Sequence, residues 1–301
     1  MSAQTTIAAL MAGQATAIDG ERAAELLAQA LPSAEVARLE AMDAPERFTV
    51  QRNVAVVPVR GVLTFNSRIL ERWFGWTTYA GLIETAAVLR ASEDVSAVVL
   101  DVDSPGGTVL GCKDAAEAIA ALAAARPVHA VAAPMACSAA YWLASQATDI
   151  SLSAGSVVGS IGIAAAARAP VPAGMSGYQD FEFRSSRARA KNPDPSSEAG
   201  RAEFVRMLDE LEADFHAAVA RGRGIPPEQL AARLSVTDDP ADGGAVFMGD
   251  AAVARGLADR VESAEAFAAR IGGLYAPPPP SRRTSRAAHA AAAAAAAIAI
   301  T

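Results

Sequence analysis

The run Val95 to Val102 is apolar almost without a break, and a strand of that composition needs cover on both of its faces. A parallel sheet flanked by helices supplies such cover. The neighbouring segments fit that frame. Asn53 to Leu63 is a β-branched run broken by glycine, Tyr79 to Ala91 has helical periodicity, and Lys113 to Ala125 is an alanine-rich helix. Next come a strand at Val128 to Ala133, a helix opening at Ser138, and strands at Asp149 to Leu152 and around Ser156 to Ile163. Strand and helix in alternation predict an α/β fold with a largely parallel sheet.

The 301 residues divide by composition into three parts. Residues 1–48 read as a helical leader, with apolar residues at helical spacing over Glu21 to Leu31 and Ser33 to Met42. Residues 49–272 form the main domain, and residues 273–301 a Pro/Ala-rich tail without a core of its own. Inside the main domain, Ala164 to Ser176 dissolves into Ala, Pro and Gly. A strand-like Phe181 to Arg184 leads into a polar loop holding Lys191. Asp194-Pro195 reads as an N-cap and first helical proline opening a long helix from Ser196 to Arg221. Val246 to Val261 reads as a small strand, a helix and a last strand.

Several function classes are excluded at this level. A net charge of −7 with no basic stripe argues against a nucleic-acid surface. Cys112 and Cys137 form no CxxC pair and have no histidine cluster near them, so neither a disulfide framework nor a metal site is expected. His129, His216 and His289 fall in a strand, an amphipathic helix and the tail, and none is placed as a general base. The N-terminus lacks the basic start and apolar run of a secretory signal. The run Ala290 to Ile300 is about half of the roughly 20 apolar residues a membrane span needs. The expectation is a soluble, cytoplasmic protein with no membrane anchor.

Three features carry chemistry. Ser138 should sit where a strand turns sharply into a helix, a good place for a nucleophile because the free N–H groups of the first turn point at whatever binds there. The competing reading of the same serine is an ordinary N-cap. Ser104-Pro105-Gly106-Gly107 follows the buried strand, and a glycine pair there can bring backbone N–H groups close to a ligand; the competing reading is a plain turn. The chain has only two lysines, Lys113 and Lys191. A desolvated lysine can become a neutral amine and act as a general base, which arginine cannot. Lys191 is the plausible partner for Ser138, with a solvated loop lysine as the alternative and Lys113 as the substitute if the assignment fails.

Ser104 to Gly107, the block Cys137-Ser138-Ala139-Ala140-Tyr141-Trp142-Leu143-Ala144-Ser145, the run Val158-Gly159-Ser160-Ile161-Gly162-Ile163 and the spacing from Ser138 to Lys191 together resemble the signal peptide peptidase A family of Ser/Lys peptidases. Within it they are most similar to the tailed-phage prohead (capsid maturation) proteases. Ser-Ala-Ala at the nucleophile, where many cellular members have Ser-Gly-Gly, agrees with that branch. The resemblance implies the Clp protease/crotonase fold and a serine endopeptidase with Ser138 as nucleophile and Lys191 as base. It further implies an oxyanion hole at Gly107 and Ala139, substrate contacts at Gly106, Gly159 and Ser160, and neither metal nor organic cofactor. The implied partners are capsid and scaffold proteins inside a procapsid, with the enzyme a homo-oligomer. The rival expectations are a soluble cellular peptidase clearing signal-peptide remnants, a crotonase-like acyl-CoA enzyme, and an inactive assembly protein.

Overall fold

A computed structural model of the chain describes residues 16–18, 28, 46–165 and 193–275. The expected leader helices (residue 28 apart), the strand-like 181–184, Lys191, and the chain beyond 275 with His289 lie outside the described residues. In chain order the elements are β1 (Thr16–Ile18), β2 (Thr49–Gln51), β3 (Val54–Leu63), α1 (Arg68–Phe74), α2 (Tyr79–Ala91), β4 (Ala97–Thr108), α3 (Cys112–Ala125), β5 (Val128–Cys137), α4 (Ala139–Ala144), β6 (Asp149–Leu152) and β7 (Val157–Gly159). They continue with α5 (Glu198–Arg223), α6 (Pro227–Leu234), β8 (Val246–Met248), α7 (Gly249–Ala254), β9 (Arg260–Val261) and α8 (Ala264–Leu274).

The sheet runs β2-β3-β4-β5-β6-β9. From β3 to β9 every neighbouring pair in that order is parallel, and β2 adds an antiparallel edge. The α/β class with a largely parallel sheet flanked by helices, expected from the sequence, is what the chain builds. Successive side chains of a strand face opposite sides, so Ala55, Val57 and Val59 of β3 and Val98, Leu100 and Val102 of β4 enter one core with Leu82 and Leu89 of α2, Ile119 and Leu122 of α3, and Trp142 of α4. Val54 and Val99 point the other way, where Phe267 and Ile271 of α8 cover them.

Two strands run further than the sequence suggests. β4 does not stop at Val102 but continues through Ser104-Pro105-Gly106-Gly107 to Thr108. Local rules read Pro-Gly-Gly as a turn; here tertiary partners override them. Gly106 and Gly107 pair with Val62 and Leu63 on one side, after a register shift between Arg60 and Val62, and with Ile18 and Ala17 of β1 on the other. The backbones lie so close that a Cβ on Gly107 would fall 1.9 Å from the Leu63 carbonyl oxygen. β5 likewise passes through Pro134 to Cys137. The proline falls where β5 leaves β6, last paired at Ala132, and takes up β7 at Met135, a gap in the ladder where no N–H is missed.

The long helix α5 is capped by Ser197 instead of Asp194: Ser197 Oγ accepts from the Gly200 N–H at 3.0 Å. Asp194 is engaged before that point, its Oδ1 accepting from the Ser196 N–H at 2.9 Å, as in an Asx turn.

The closing helix α8 is one the sequence reading did not anticipate, and polar contacts hold it beside the sheet. His129 Nδ1 lies 2.9 Å from Asp149 Oδ1 and its Nε2 2.7 Å from Tyr275 Oη. Arg270 donates to Asp149 Oδ2 at 3.2 Å and to Glu262 Oε1 at 2.7 Å. Burial alone raises the Asp149 carboxyl, but the His129 hydrogen bond and the Arg270 and Arg260 charges outweigh it and hold the group below its ordinary value. A carboxyl lowered in the folded state stabilises the fold above its unfolded value, about 3.9, and that contribution is lost as pH falls through the folded value. Asp149→Asn should lower stability at neutral pH by on the order of 1 kcal/mol and flatten the acid limb of a urea-midpoint-against-pH curve. An unchanged acid limb would show that Asp149 plays no such part.

Candidate active site

β5 delivers Ser138 to the point where the chain leaves the sheet, and α4 begins at the next residue. Ser138 takes φ 54 and ψ −123, a region that costs a residue with a side chain about 1–3 kcal/mol and persists only where the surroundings over-determine it. Its side chain makes no capping bond to α4, so the N-cap reading fails: the serine occupies the cap position without capping. Its N–H donates to the Gly159 carbonyl at 2.7 Å and its carbonyl accepts from the Trp142 N–H at 2.9 Å. The backbone is thus held on both sides of the strained residue, and the residue, itself buried, lines a cavity of about 360 Å³.

The surroundings that impose this geometry are those of α4, in which every residue is buried. Trp142 stacks on Phe215 of α5 with centroids 4.5 Å apart and planes 7° from parallel. Tyr141 donates its hydroxyl to the Leu257 carbonyl at 2.8 Å, and Gln146 donates to the Ala218 carbonyl at 3.1 Å. α5 passes so near that a Cβ on Gly222 would lie 2.0 Å from the Ser145 carbonyl oxygen.

Gly159 and Ser160 arrive beside Ser138 through β7, which pairs Gly159 with Cys137. Gly159 has φ +120 and approaches the Ala245 carbonyl too closely for a Cβ, at 2.6 Å. Ser160, also at positive φ, donates its N–H to that same carbonyl at 2.8 Å and lines the cavity with Ser138. Across the cavity stand Glu212 and His216 of α5, four residues apart and so on one helical face. That spacing is readable in the sequence, but nothing local shows that the face turns toward Ser138. Burial, opposed by the charge of Glu212, lowers the His216 imidazole, which keeps it neutral at neutral pH.

The glycine pair comes from the neighbouring strand, where Ser104 of β4 is level with Ala136 of β5. Ser104 Oγ donates to the Gly61 carbonyl at 2.6 Å and accepts from the Gly106 N–H at 3.1 Å. The Gly106 amide is therefore spent on the fold; the residue's use is its conformation, φ +106. Ala139 is the first residue of α4, where a helix leaves its N–H groups without intrahelical acceptors.

The candidate bases fare differently. Lys191 lies outside the described residues. Lys113 sits on the exposed side of α3, its Nζ 2.8 Å from Asp214 Oδ1, and that hydrogen bond raises its pKa. Paired with Asp214 on an exposed helix face, Lys113 lacks the desolvation that would make its amine neutral. His129 lies at the far end of β5, nine residues or roughly 30 Å of extended chain from Ser138. Neither cysteine competes as nucleophile: Cys137 is buried with Sγ 4.0 Å from the Val157 carbonyl oxygen, and burial pushes the Cys112 thiol up to about 12. Among the described residues no cluster of His, Cys, Asp and Glu could hold a metal ion, and no helix is long and apolar enough to cross a membrane.

Comparison with known families matches residues 120–170 and 184–273 to the profile of peptidase family S49. Just under half of the chain is thus similar to that peptidase family. Both Ser138 and Lys191 fall within the matched S49 segments, and the match passes over residues 171–183, in and beside the Ala-, Pro- and Gly-rich stretch. Capsid assembly protease C of Escherichia phage lambda is 37% identical over 116 residues, 38% of this chain and 26% of that protein. Head-tail preconnector protein GP5 of Enterobacteria phage P21 is 29% identical over 222 residues, 72% of this chain and 42% of that protein. The chain thus spans between a quarter and a half of the length of these relatives, which are the prohead-protease branch expected from the sequence. Among solved structures, an enoyl-CoA hydratase/isomerase family member superposes with a TM-score of 0.40 at 18% identity, covering 75% of this chain and 72% of that one. ClpP1 of Listeria monocytogenes gives 0.40 at 12%, covering 69% and 91%. At that distance neither superposition bears on the chemistry of this chain.

The strained backbone at Ser138 has a measurable consequence. Glycine tolerates φ 54 and ψ −123 without the Cβ penalty, whereas alanine keeps it. Ser138→Gly should therefore be more stable than Ser138→Ala by about 1 kcal/mol in chemical denaturation, although both lack the hydroxyl. The opposite order would mean that the elbow stores no strain.

Proposed function

We propose that this chain is a serine endopeptidase that uses a Ser138/Lys191 dyad to cut capsid and scaffold proteins during assembly of a phage or phage-like head. The observation that carries the reading is Ser138 itself, held at a strained elbow, not capping its helix, and lining a cavity. Similarity to peptidase family S49 supports the reaction class, and the names of the two phage relatives support the setting.

In this mechanism the neutral Lys191 amine takes the Ser138 proton as Oγ attacks the substrate carbonyl carbon. The oxygen of the tetrahedral intermediate is held by the N–H groups of Gly107 and Ala139. Lys191 then returns the proton to the leaving amine as the C–N bond breaks, and an acyl-enzyme remains on Ser138. Water, deprotonated by the same lysine, releases the new carboxylate and restores the serine. Gly159 and Ser160 form one wall for the substrate, and Gly106 shapes the strand beside it. No step needs a metal or organic cofactor. The work would take place in the host cytoplasm, inside the procapsid. Assembly into a homo-oligomer is part of the proposal, and Phe65 and Leu110, both exposed near Gly111, offer an apolar surface for it.

Intact mass over time tests the dyad, with wild type, Ser138→Ala and Lys191→Ala each incubated alone and with a phage capsid protein. Discrete cuts should appear with the wild type and slow by at least ~10³-fold in both variants. The wild-type rate should rise with pH as the Lys191 amine loses its proton. Undiminished cutting by Lys191→Ala, or a rate flat in pH, would move the base elsewhere.

A further inference from the structure

β1 is a three-residue strand with little in its sequence, Thr16-Ala17-Ile18, to call for one. Its position gives it meaning. Over its first part β4 is flanked by β3 on one edge and β5 on the other, and the β5 pairing ends at Ser104 level with Ala136. Two residues later the chain of β5 has reached Ser138 and left the sheet. Beyond Ser104 the β3 edge of β4 is still occupied, since Val62 and Leu63 pair with Gly106 and Gly107. The antiparallel partner of Gly106, Gly107 and Thr108, which is β1, must then lie on the other edge, in line with β5.

Counting from Ser104 level with Ala136, Gly106 is level with residue 138. Ile18 pairs with Gly106 and Ala17 with Gly107. An extended piece of backbone therefore runs past the nucleophile and along the strand that carries the proposed oxyanion amide. This is how a peptide binds by strand addition, with main-chain hydrogen bonds supplying the affinity.

We infer that the leader strand Thr16–Ile18 occupies the substrate-strand position of its own active site, so that the uncut chain carries a tethered competitor. This rests on the reading of Ser138 as nucleophile. A strand of three residues is a weak occupant that gains its hold from being tethered, because a linked segment acts at an effective concentration of about millimolar. Stronger extended segments presented at high local density displace it, and once the leader is severed the competitor dissociates. The site then stays closed in dilute, unassembled protein.

The full chain is tested against Thr16→Pro/Ala17→Pro. Two consecutive prolines remove the inward-facing N–H whichever of the two residues carries it, and neither residue belongs to the catalytic machinery. Two readouts are taken: the rate at which a fluorophosphonate probe labels Ser138, and amide hydrogen exchange at Gly107 and Thr108, the Gly106 amide being held by Ser104 instead. The variant should be labelled about 10-fold faster or more and should lose protection within Gly107–Thr108. A synthetic peptide of residues 12–22 at about millimolar concentration should reverse both effects, and the same peptide N-methylated at Thr16 and Ala17 should not. Labelling at equal rates in the two chains, or unchanged exchange at both Gly107 and Thr108, overturns the inference. Absence of labelling in both chains, with exchange still responding to the prolines and the peptide, supports the strand site and overturns the nucleophile reading instead.

Discussion

The hydrogen bond from the Ser138 N–H to the Gly159 carbonyl, 2.7 Å long, fixes where β5 ends and where the site begins. A residue with a side chain does not stay at φ 54 and ψ −123 on its own account. It stays because β7 takes one side of the elbow and α4 the other, and because α4 is stacked on Phe215 and hydrogen-bonded to the Leu257 carbonyl. The stability of the long helix α5 and of the turn at Leu257 is thereby coupled to the placement of one hydroxyl.

The same constraint explains the small residues around the site. Gly107 approaches the β3 backbone, Gly159 the Ala245 carbonyl, and Gly222 the Ser145 carbonyl, each closer than a Cβ would permit. These are contacts of backbone with backbone, made where strands and helices converge on Ser138. A glycine pair that looks like a ligand loop in the sequence is thus first a packing device. Its value to a ligand follows from the strand geometry that the packing enforces.

What could be read from the sequence was what local pattern determines. The alternation of buried strands and helices gave the sheet, and the abrupt passage from an apolar run into a helix located Ser138. What could not be read was decided by distant partners. Ser104 to Gly107 has the composition of a turn but is strand, because β1 and β3 pair with its last residues. The helix α8 is anchored by an Arg270–Asp149 contact across 121 residues, and Thr16-Ala17-Ile18 carries no strand signal until β4 offers an edge. Glu212 and His216 stand on one face of α5, but only the fold turns that face toward Ser138.

A cleft that receives its ligand along a strand edge reads backbone far more than side chain. On the reading of Ser138 as a protease nucleophile, such a site discriminates weakly among extended peptides, and many folding intermediates expose extended peptides. Selectivity must then come from when the edge is open, not from which residues pass along it. A weak strand from the enzyme's own leader suits that need better than a strong one. On that reading it would yield to dense, ordered substrate yet exclude stray peptides at lower concentration, because the tether fixes the concentration at which it competes. The short length of β1 and the plainness of its sequence are then what the control requires.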